Sequence, residues 1–127
     1  MRHLVLLALF FAGLAHSQDG GTSAKYPIVT GSLDKEVIRK GIQTNRAGIR
    51  KCYEEAVARK PGIGGKEVVK FTISREGPVS SAEIIEDTVG DREMHDCLIA
   101  AVKTWVYPPP VGGGIVIVTY PFSFVAQ

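Results

Sequence analysis

The sequence predicts an α+β domain with a three-stranded antiparallel sheet and two to three helices on one face. Stretches of helical periodicity and of period-two alternation follow each other in the order helix, hairpin, helix, strand. Glycine, proline or a good capping residue stands at the boundaries between these stretches, which supports the division.

The first 17 residues predict a cleavable signal peptide. A short polar start is followed by an apolar run from Leu4 to Leu14, and Ala15 and Ser17 are small residues at the positions that signal peptidase recognises. The apolar run is about half of the ~20 residues that span a bilayer, which favours cleavage over a membrane anchor. We therefore expect a periplasmic or secreted protein without stable membrane insertion.

The remaining chain predicts one small domain behind a short lead-in. Residues 18–31 are rich in Gly, Ser, Thr and Asp, which predicts a disordered segment, and residues 32–127 form the predicted domain. The full chain has a net charge of +2, and loss of Arg2 with the signal peptide lowers it to +1. So balanced a charge argues against nucleic acid as a partner, because phosphate binding needs a concentrated basic surface.

The first helical stretch predicts two helices on one apolar face. Ser32 or Asp34 supplies the N-cap, and a break is expected near residues 43–46 because Thr44 and Asn45 are good capping residues. The second helix ends before Pro61. The apolar positions are Val37, Ile38, Ile42, Ile49, Cys52, Tyr53, Ala56 and Val57.

Period-two alternation then predicts a hairpin. Val69, Phe71 and Ile73 alternate with polar residues, and residues 75–78 form a tight turn in which Gly77 supplies a positive φ. The return strand runs over residues 79–87, with Ala82 and Ile84 directed inward.

A third helix and a last strand complete the domain. Asp91 is the predicted N-cap of a helix whose apolar face runs from Met94 to Trp105, and three consecutive prolines end it. The last strand covers residues 115–125. Its inward residues are Val116, Val118, Tyr120, Phe122 and Phe124.

The sequence contains no recognisable catalytic set, metal site or cofactor motif. His95 is the only histidine after the signal peptide, and it lies two positions before Cys97 on a helix, where side chains do not face each other. Lys66 follows a glycine-rich turn, but a phosphate-binding loop needs Ser or Thr next and then a helix. We expect a non-enzymatic protein without a cofactor or metal.

Cys52 and Cys97 are predicted to form a structural disulfide between two helices. They lie 45 positions apart on apolar helix faces of an exported chain, whereas thioredoxin-type enzymes carry Cys-x-x-Cys. The alternative of a thiol–disulfide enzyme that uses this pair is less favoured.

The chain resembles the TonB-like C-terminal domain of the AgmX/PglI type, named for adventurous gliding motility in myxobacteria. The resemblance covers residues 31–125, and its specific features are the two cysteines and the segment from Trp105 to Tyr120-Pro121-Phe122. The matching segments are residues 31–40, 49–54, 65–73, 101–105 and 116–122.

This resemblance implies a periplasmic protein-interaction module that binds an extended protein segment in the cell envelope. In such domains the partner adds as a strand alongside the last strand. A role as an accessory to an envelope or gliding-motility complex is implied as well. The implied partner-binding residues are Ile115, Ile117, Thr119, Pro121 and Ser123.

Two further interpretations of the site remain open. The last strand is instead covered if the lead-in segment, or a second copy of the domain in a homodimer, pairs with it. The first helical region is basic and offers a surface for acidic cell-wall polymers. Its basic residues are Lys35, Arg39, Lys40, Arg46, Arg50, Lys51, Arg59 and Lys60.

Overall fold

The computed structural model describes residues 25–126. The predicted signal peptide and the first part of the lead-in lie outside the described residues. The elements are β1 (Ile28–Thr30), α1 (Lys35–Thr44), α2 (Arg46–Arg59), β2 (Gly65–Ile73), β3 (Val79–Asp87), α3 (Arg92–Val102), a 3-10 turn (Val111–Gly113) and β4 (Val116–Phe124).

Capping side chains fix the helix starts that the sequence predicts. The Asp34 carboxylate accepts a 2.8 Å hydrogen bond from the Glu36 amide, and Asp91 accepts one of 3.0 Å from the Met94 amide. Asn45 separates α1 from α2 and donates its side-chain amide to the Gly41 carbonyl at 2.8 Å. The predicted break near residues 43–46 is therefore confirmed.

The four strands form one antiparallel sheet in the order β1-β4-β2-β3. The β2–β3 hairpin and the pairing of β2 with β4 confirm the α+β fold class. The sheet has one strand more than predicted, because Ile28–Thr30 pairs with β4. The prediction of a disordered lead-in therefore does not hold for residues 28–30, since a three-residue strand is too short to show alternation among the polar residues around it.

The core lies between the helices and one face of the sheet. Phe71 of β2 stands opposite Val118 of β4, and its ring makes an edge contact with Trp105 and stacks on Tyr107. Gly41 of α1 is required by this packing, because a Cβ there would lie 2.4 Å from the Tyr107 ring. The buried helix residues that meet the sheet include Ile38, Ile42, Ile49, Ala56, Met94, Leu98 and Val102.

A disulfide joins α2 to α3, as the sequence predicts. Cys52 and Cys97 are bonded with their Cα atoms 5.7 Å apart, and Cys52 is 2% exposed. Neither cysteine is a free thiol, so the pair acts as a link between two helices. The bridge therefore ties together the helical layer that covers the sheet.

Candidate partner-binding edge

Four of the five predicted partner-binding residues form one row on the sheet face away from the helices. Ile117, Thr119, Pro121 and Ser123 alternate along β4 with core residues. Ser123 is exposed and Ile117 and Thr119 are half-buried, but Pro121 is itself buried. Ile115 is exposed and lies just before the strand. Their partners on β2 are Thr72, Lys70, Val68 and Lys66 in that order.

The chain's own β1 occupies part of the predicted binding edge. Thr30 pairs with Ile117, and Ile28 pairs with Thr119. Gly31 then approaches so closely that a Cβ there would lie 2.7 Å from the Ile115 carbonyl oxygen. The lead-in segment therefore covers β4 up to residue 119. Such covering by the lead-in is one of the alternatives that the sequence leaves open.

The end of β4 has no strand beside it on the β1 side. The register with β1 stops at Thr119, while β4 continues to Phe124. Among residues 25–126, none pairs with residues 120–124 on that side. The Tyr53 hydroxyl lies 2.7 Å from the Val125 carbonyl and 2.8 Å from the Ile63 carbonyl, which holds the chain against α2 after the strand ends.

A groove of about 180 Å³ runs beside this open edge. Its apolar surface includes Ile49 and Tyr53 of α2, and the Tyr53 ring lies 5.0 Å from that of Phe124. Arg46 and Arg50 also line it, one helical turn apart. The site therefore combines an unpaired strand end, an apolar surface and two positive charges.

The sequence predicts the strand but not the groove. Helical spacing places Arg46, Ile49, Arg50 and Tyr53 near one another on α2, so that part was available from the sequence. Their position beside residues 122–124 depends on how α2 crosses the sheet, which periodicity does not determine.

A buried carboxyl group lies at the opposite end of β2 from the hairpin turn. Glu67 is 0% exposed, and neither of its side-chain oxygens has a hydrogen-bond partner among the described residues. Burial, and then the negative charges of Asp87 and Asp91, raise the pKa of Glu67 to about 8. The alternation of Glu67, Val69 and Phe71 in the sequence is the signal that places this glutamate on the core face.

The pKa of Asp91, at the start of α3, is shifted in the opposite direction to that of Glu67. Burial disfavours its charge, but hydrogen bonds from the Met94 amide and from Arg59, together with the charges of Arg59 and Lys60, lower its pKa. Asp91 therefore stays ionised as a helix cap and ion-pair partner, while Glu67 retains its proton at neutral pH.

We expect Glu67→Gln to flatten the pH dependence of stability between pH 4.5 and 8. Glu67 has an ordinary pKa of 4.5 when unfolded and about 8 when folded. The folded state binds the extra proton, so this contribution is complete below pH 4.5 and is lost as pH rises through about 8. Urea unfolding at several pH values should show a slope up to about 1.4 kcal/mol per pH unit smaller in the variant.

Glu83→Gln provides the control for this pH experiment, because Glu83 is exposed on β3. It should retain the wild-type slope. A Glu67→Gln protein with an unchanged slope would contradict the neutral, buried state of Glu67.

The described residues give no sign of a metal centre or a membrane helix. No group of three or more His, Cys, Asp or Glu side chains is placed to hold a metal ion in residues 25–126. Over the same range, every helix is too short or too polar to cross a bilayer. His95 lies beside Asp96, with 3.2 Å between its Nδ1 and the carboxylate.

Comparison with known proteins identifies the family. Residues 56–126 match the family model described as Gram-negative bacterial TonB protein C-terminal. The search of curated proteins gave no match.

Two solved structures resemble the chain. The solution structure of the Helicobacter pylori TonB C-terminal domain has a TM-score of 0.54 at 18% identity, covering 75% of this chain and 85% of that one. That of Pseudomonas aeruginosa has a TM-score of 0.42 at 31% identity, covering 56% of this chain and 72% of that one. The first supports the fold, and the family match extends over more than half of the sequence. This chain belongs to the TonB C-terminal domain family.

Proposed function

We propose that this protein is a periplasmic, non-enzymatic interaction module that binds an extended protein segment by strand addition to β4. The family is one of protein-interaction modules of the bacterial envelope, which supports a binding role. The disulfide suits an oxidising compartment, and the predicted signal peptide provides the route to it. The observation that carries the proposal is the unpaired end of β4, residues 120–124.

The backbone of this end offers specific hydrogen-bonding groups. Successive residues of an antiparallel strand direct their N–H and C=O groups alternately to its two sides. Pro121 lacks an N–H, and proline is found where no ladder hydrogen bond is needed, which favours the side away from β2. Ser123 is two positions after Pro121, so its backbone groups point to the same side of the strand. Its N–H and C=O therefore face the open edge together with the Pro121 carbonyl.

The five residues that the resemblance implies divide into two groups on this proposal. Pro121 and Ser123 lie on the open end; the Ser123 side chain is exposed, whereas that of Pro121 is buried, so Pro121 contributes its backbone carbonyl. Ile115, Ile117 and Thr119 lie beside β1 or Gly31, so a partner reaches them only by displacing β1. We propose the open end as the first point of contact. An accessory role in an envelope or gliding-motility complex of the AgmX/PglI type rests on the sequence resemblance.

Site-specific photocrosslinking in the bacterium's own envelope fraction tests strand addition. A photoreactive residue at Val125, which is exposed beside the open end, should give a discrete protein adduct. The same residue at Ile85, exposed on the other edge strand β3, should not. Ser123→Pro removes the backbone donor and should reduce the Val125 adduct at least several-fold, since each lost hydrogen bond costs about 1 kcal/mol.

Ser123→Ala is the matched control, because it changes the side chain and leaves the backbone donor. It should retain the adduct. Equal adducts from Val125 and Ile85, or an adduct that persists in Ser123→Pro, would contradict strand addition at this edge.

A further inference from the structure

The proton that Glu67 retains needs an acceptor, and Asp87 is placed to supply it. As a carboxylate, Glu67 would be fully buried with no donor for either of its oxygens among residues 25–126. Asp87 stands opposite Glu67 in the register of β2 with β3, and its carboxylate lies within hydrogen-bonding reach. A protonated Glu67 can therefore donate to Asp87, which satisfies a buried polar group that otherwise has no partner.

Asp87 is arranged as a charged acceptor at the surface. Its Oδ1 accepts hydrogen bonds of 2.9 Å from the amides of Val89 and of Gly90. The other carboxylate oxygen is left for the proton of Glu67. Asp87 is exposed, whereas Glu67 is not. The shared proton therefore lies at the boundary between the core and the solvent.

The basic side chains around this end of the sheet are paired with other acids. Among residues 25–126, no ion pair includes Glu67. The residue opposite it on β4 is Phe122, which carries no charge. Loss of the proton would therefore leave a buried negative charge without compensation. The ion pairs around this end of the sheet are Arg59–Asp91, Lys60–Asp91, Arg59–Glu93 and Lys66–Glu86.

The loop that carries Asp87, residues 87–90, is bonded to the start of β2. The Thr88 amide donates to the Lys66 carbonyl at 2.8 Å, and the Lys66 amide donates to the Thr88 hydroxyl oxygen at 2.8 Å. The two segments are also in close contact, since a Cβ at Gly65 would lie 2.8 Å from that hydroxyl oxygen. Movement of this loop therefore disturbs the first residues of β2.

We propose that Glu67 and Asp87 share one proton and form a pH-sensitive latch that holds residues 87–90 against the start of β2. While the proton is present, the pair is one hydrogen bond between a neutral acid and a carboxylate. Its loss places two negative charges side by side, with that of Asp91 close by, and one of the two is out of reach of water. The loop then moves outward so that water can hydrate Glu67.

The latch supports the part of the sheet that carries the proposed binding edge. Residues 65–67 of β2 pair with residues 122–124 of β4, and the loop 87–90 follows β3 on the other side of β2. Opening of the latch therefore loosens the end of β4 from behind. The latch needs no partner in order to work, so the free protein is sufficient to test it.

Carboxyl carbon NMR during a pH titration of the mature, disulfide-bonded protein tests the shared proton. The signals of Glu67 and Asp87 should move together with a midpoint at about pH 8. In Asp87→Asn, the Glu67 midpoint should fall by about one pH unit, because the variant removes a neighbouring charge and offers an amide donor to the ionised form. Glu86→Gln is the matched control, since Glu86 is the exposed neighbour that pairs with Lys66 instead. It should leave the Glu67 midpoint nearly unchanged.

Amide hydrogen exchange tests the opening of the loop. Protection factors already correct for the intrinsic effect of pH on exchange. Between about pH 7 and about pH 9, they should fall about tenfold or more for the Thr88 and Phe122 amides of the wild type. Residues 70–72, at the other end of the hairpin, should keep their protection. Glu67→Gln cannot lose a proton at this position, so its Thr88 protection should be the same at both pH values.

Three results would overturn the latch. A Glu67 midpoint that is unchanged in Asp87→Asn would show that burial alone holds the proton. An Asp87 signal that does not follow that of Glu67 would show that the proton is not shared. Thr88 protection that persists to about pH 9, or that falls equally in Glu67→Gln, would show that the loop does not respond to this proton. None of these measurements involves a partner, so strand addition at β4 is tested separately.

Discussion

Removing the disulfide is expected to lower the free energy of unfolding by about 4 kcal/mol. The bridge between Cys52 and Cys97 closes a loop of 45 residues, and the chain-entropy model gives about that value for such a loop. Small domains have about 5–15 kcal/mol in total, so the loss is a large share. Urea unfolding of the Cys52→Ala/Cys97→Ala protein, followed by circular dichroism, would measure it.

Reduced wild-type protein is the control, and it should unfold at nearly the same urea concentration as the double variant. The native far-ultraviolet spectrum should persist in both, because the bridge links helices that also pack against the sheet. Two reactive thiols per chain in the unfolded, unreduced protein would show that the bridge does not form.

Replacing Phe71 with alanine is expected to destabilise the domain by about 3–5 kcal/mol. Phe71 is 1% exposed and lies at the centre of the aromatic cluster, with its ring centroid 5.7 Å from that of Trp105 and 6.0 Å from that of Tyr107. Truncation leaves a cavity that the surrounding rings cannot fill without losing their own contacts. Thermal and urea unfolding would give the loss.

Two other variants provide reference values for the stability lost in Phe71→Ala. Phe71→Leu keeps most of the volume and should cost clearly less than the alanine change. Val106→Ala, at an exposed position next to Trp105, should change stability by less than about 0.5 kcal/mol. A Phe71→Ala protein as stable as Val106→Ala would contradict the central position of this ring in the core.

Elements with strong periodicity were predictable from the sequence, and pairings that depend on distant segments were not. Alternation along residues 69–73 and 116–124 identified β2 and β4 and their inward faces. The two cysteines on apolar helix faces predicted the bridge. The strand Ile28–Thr30 has no local signal, because it exists only through its pairing with residues 117–119.

The candidate site was predictable only in part from the sequence. The sequence indicates which side chains of β4 share a face, but it does not indicate which part of its edge another segment covers. The groove beside Arg46 and Arg50 arises from the packing of α2 on the end of β4. Such a site requires the relative position of two elements that are separated by 56 residues of the chain.

The place of β4 inside the sheet has a consequence for the order of folding. This strand is the last element of the chain, yet it lies between β1 and β2, and Ile28 pairs with Thr119 across almost the whole domain. The β2–β3 hairpin is local and can form early, whereas β1 has no partner until the C-terminal residues arrive. During synthesis, β2 therefore presents an open edge until β4 is delivered, and a chain shortened before residue 116 would keep that edge permanently exposed to aggregation.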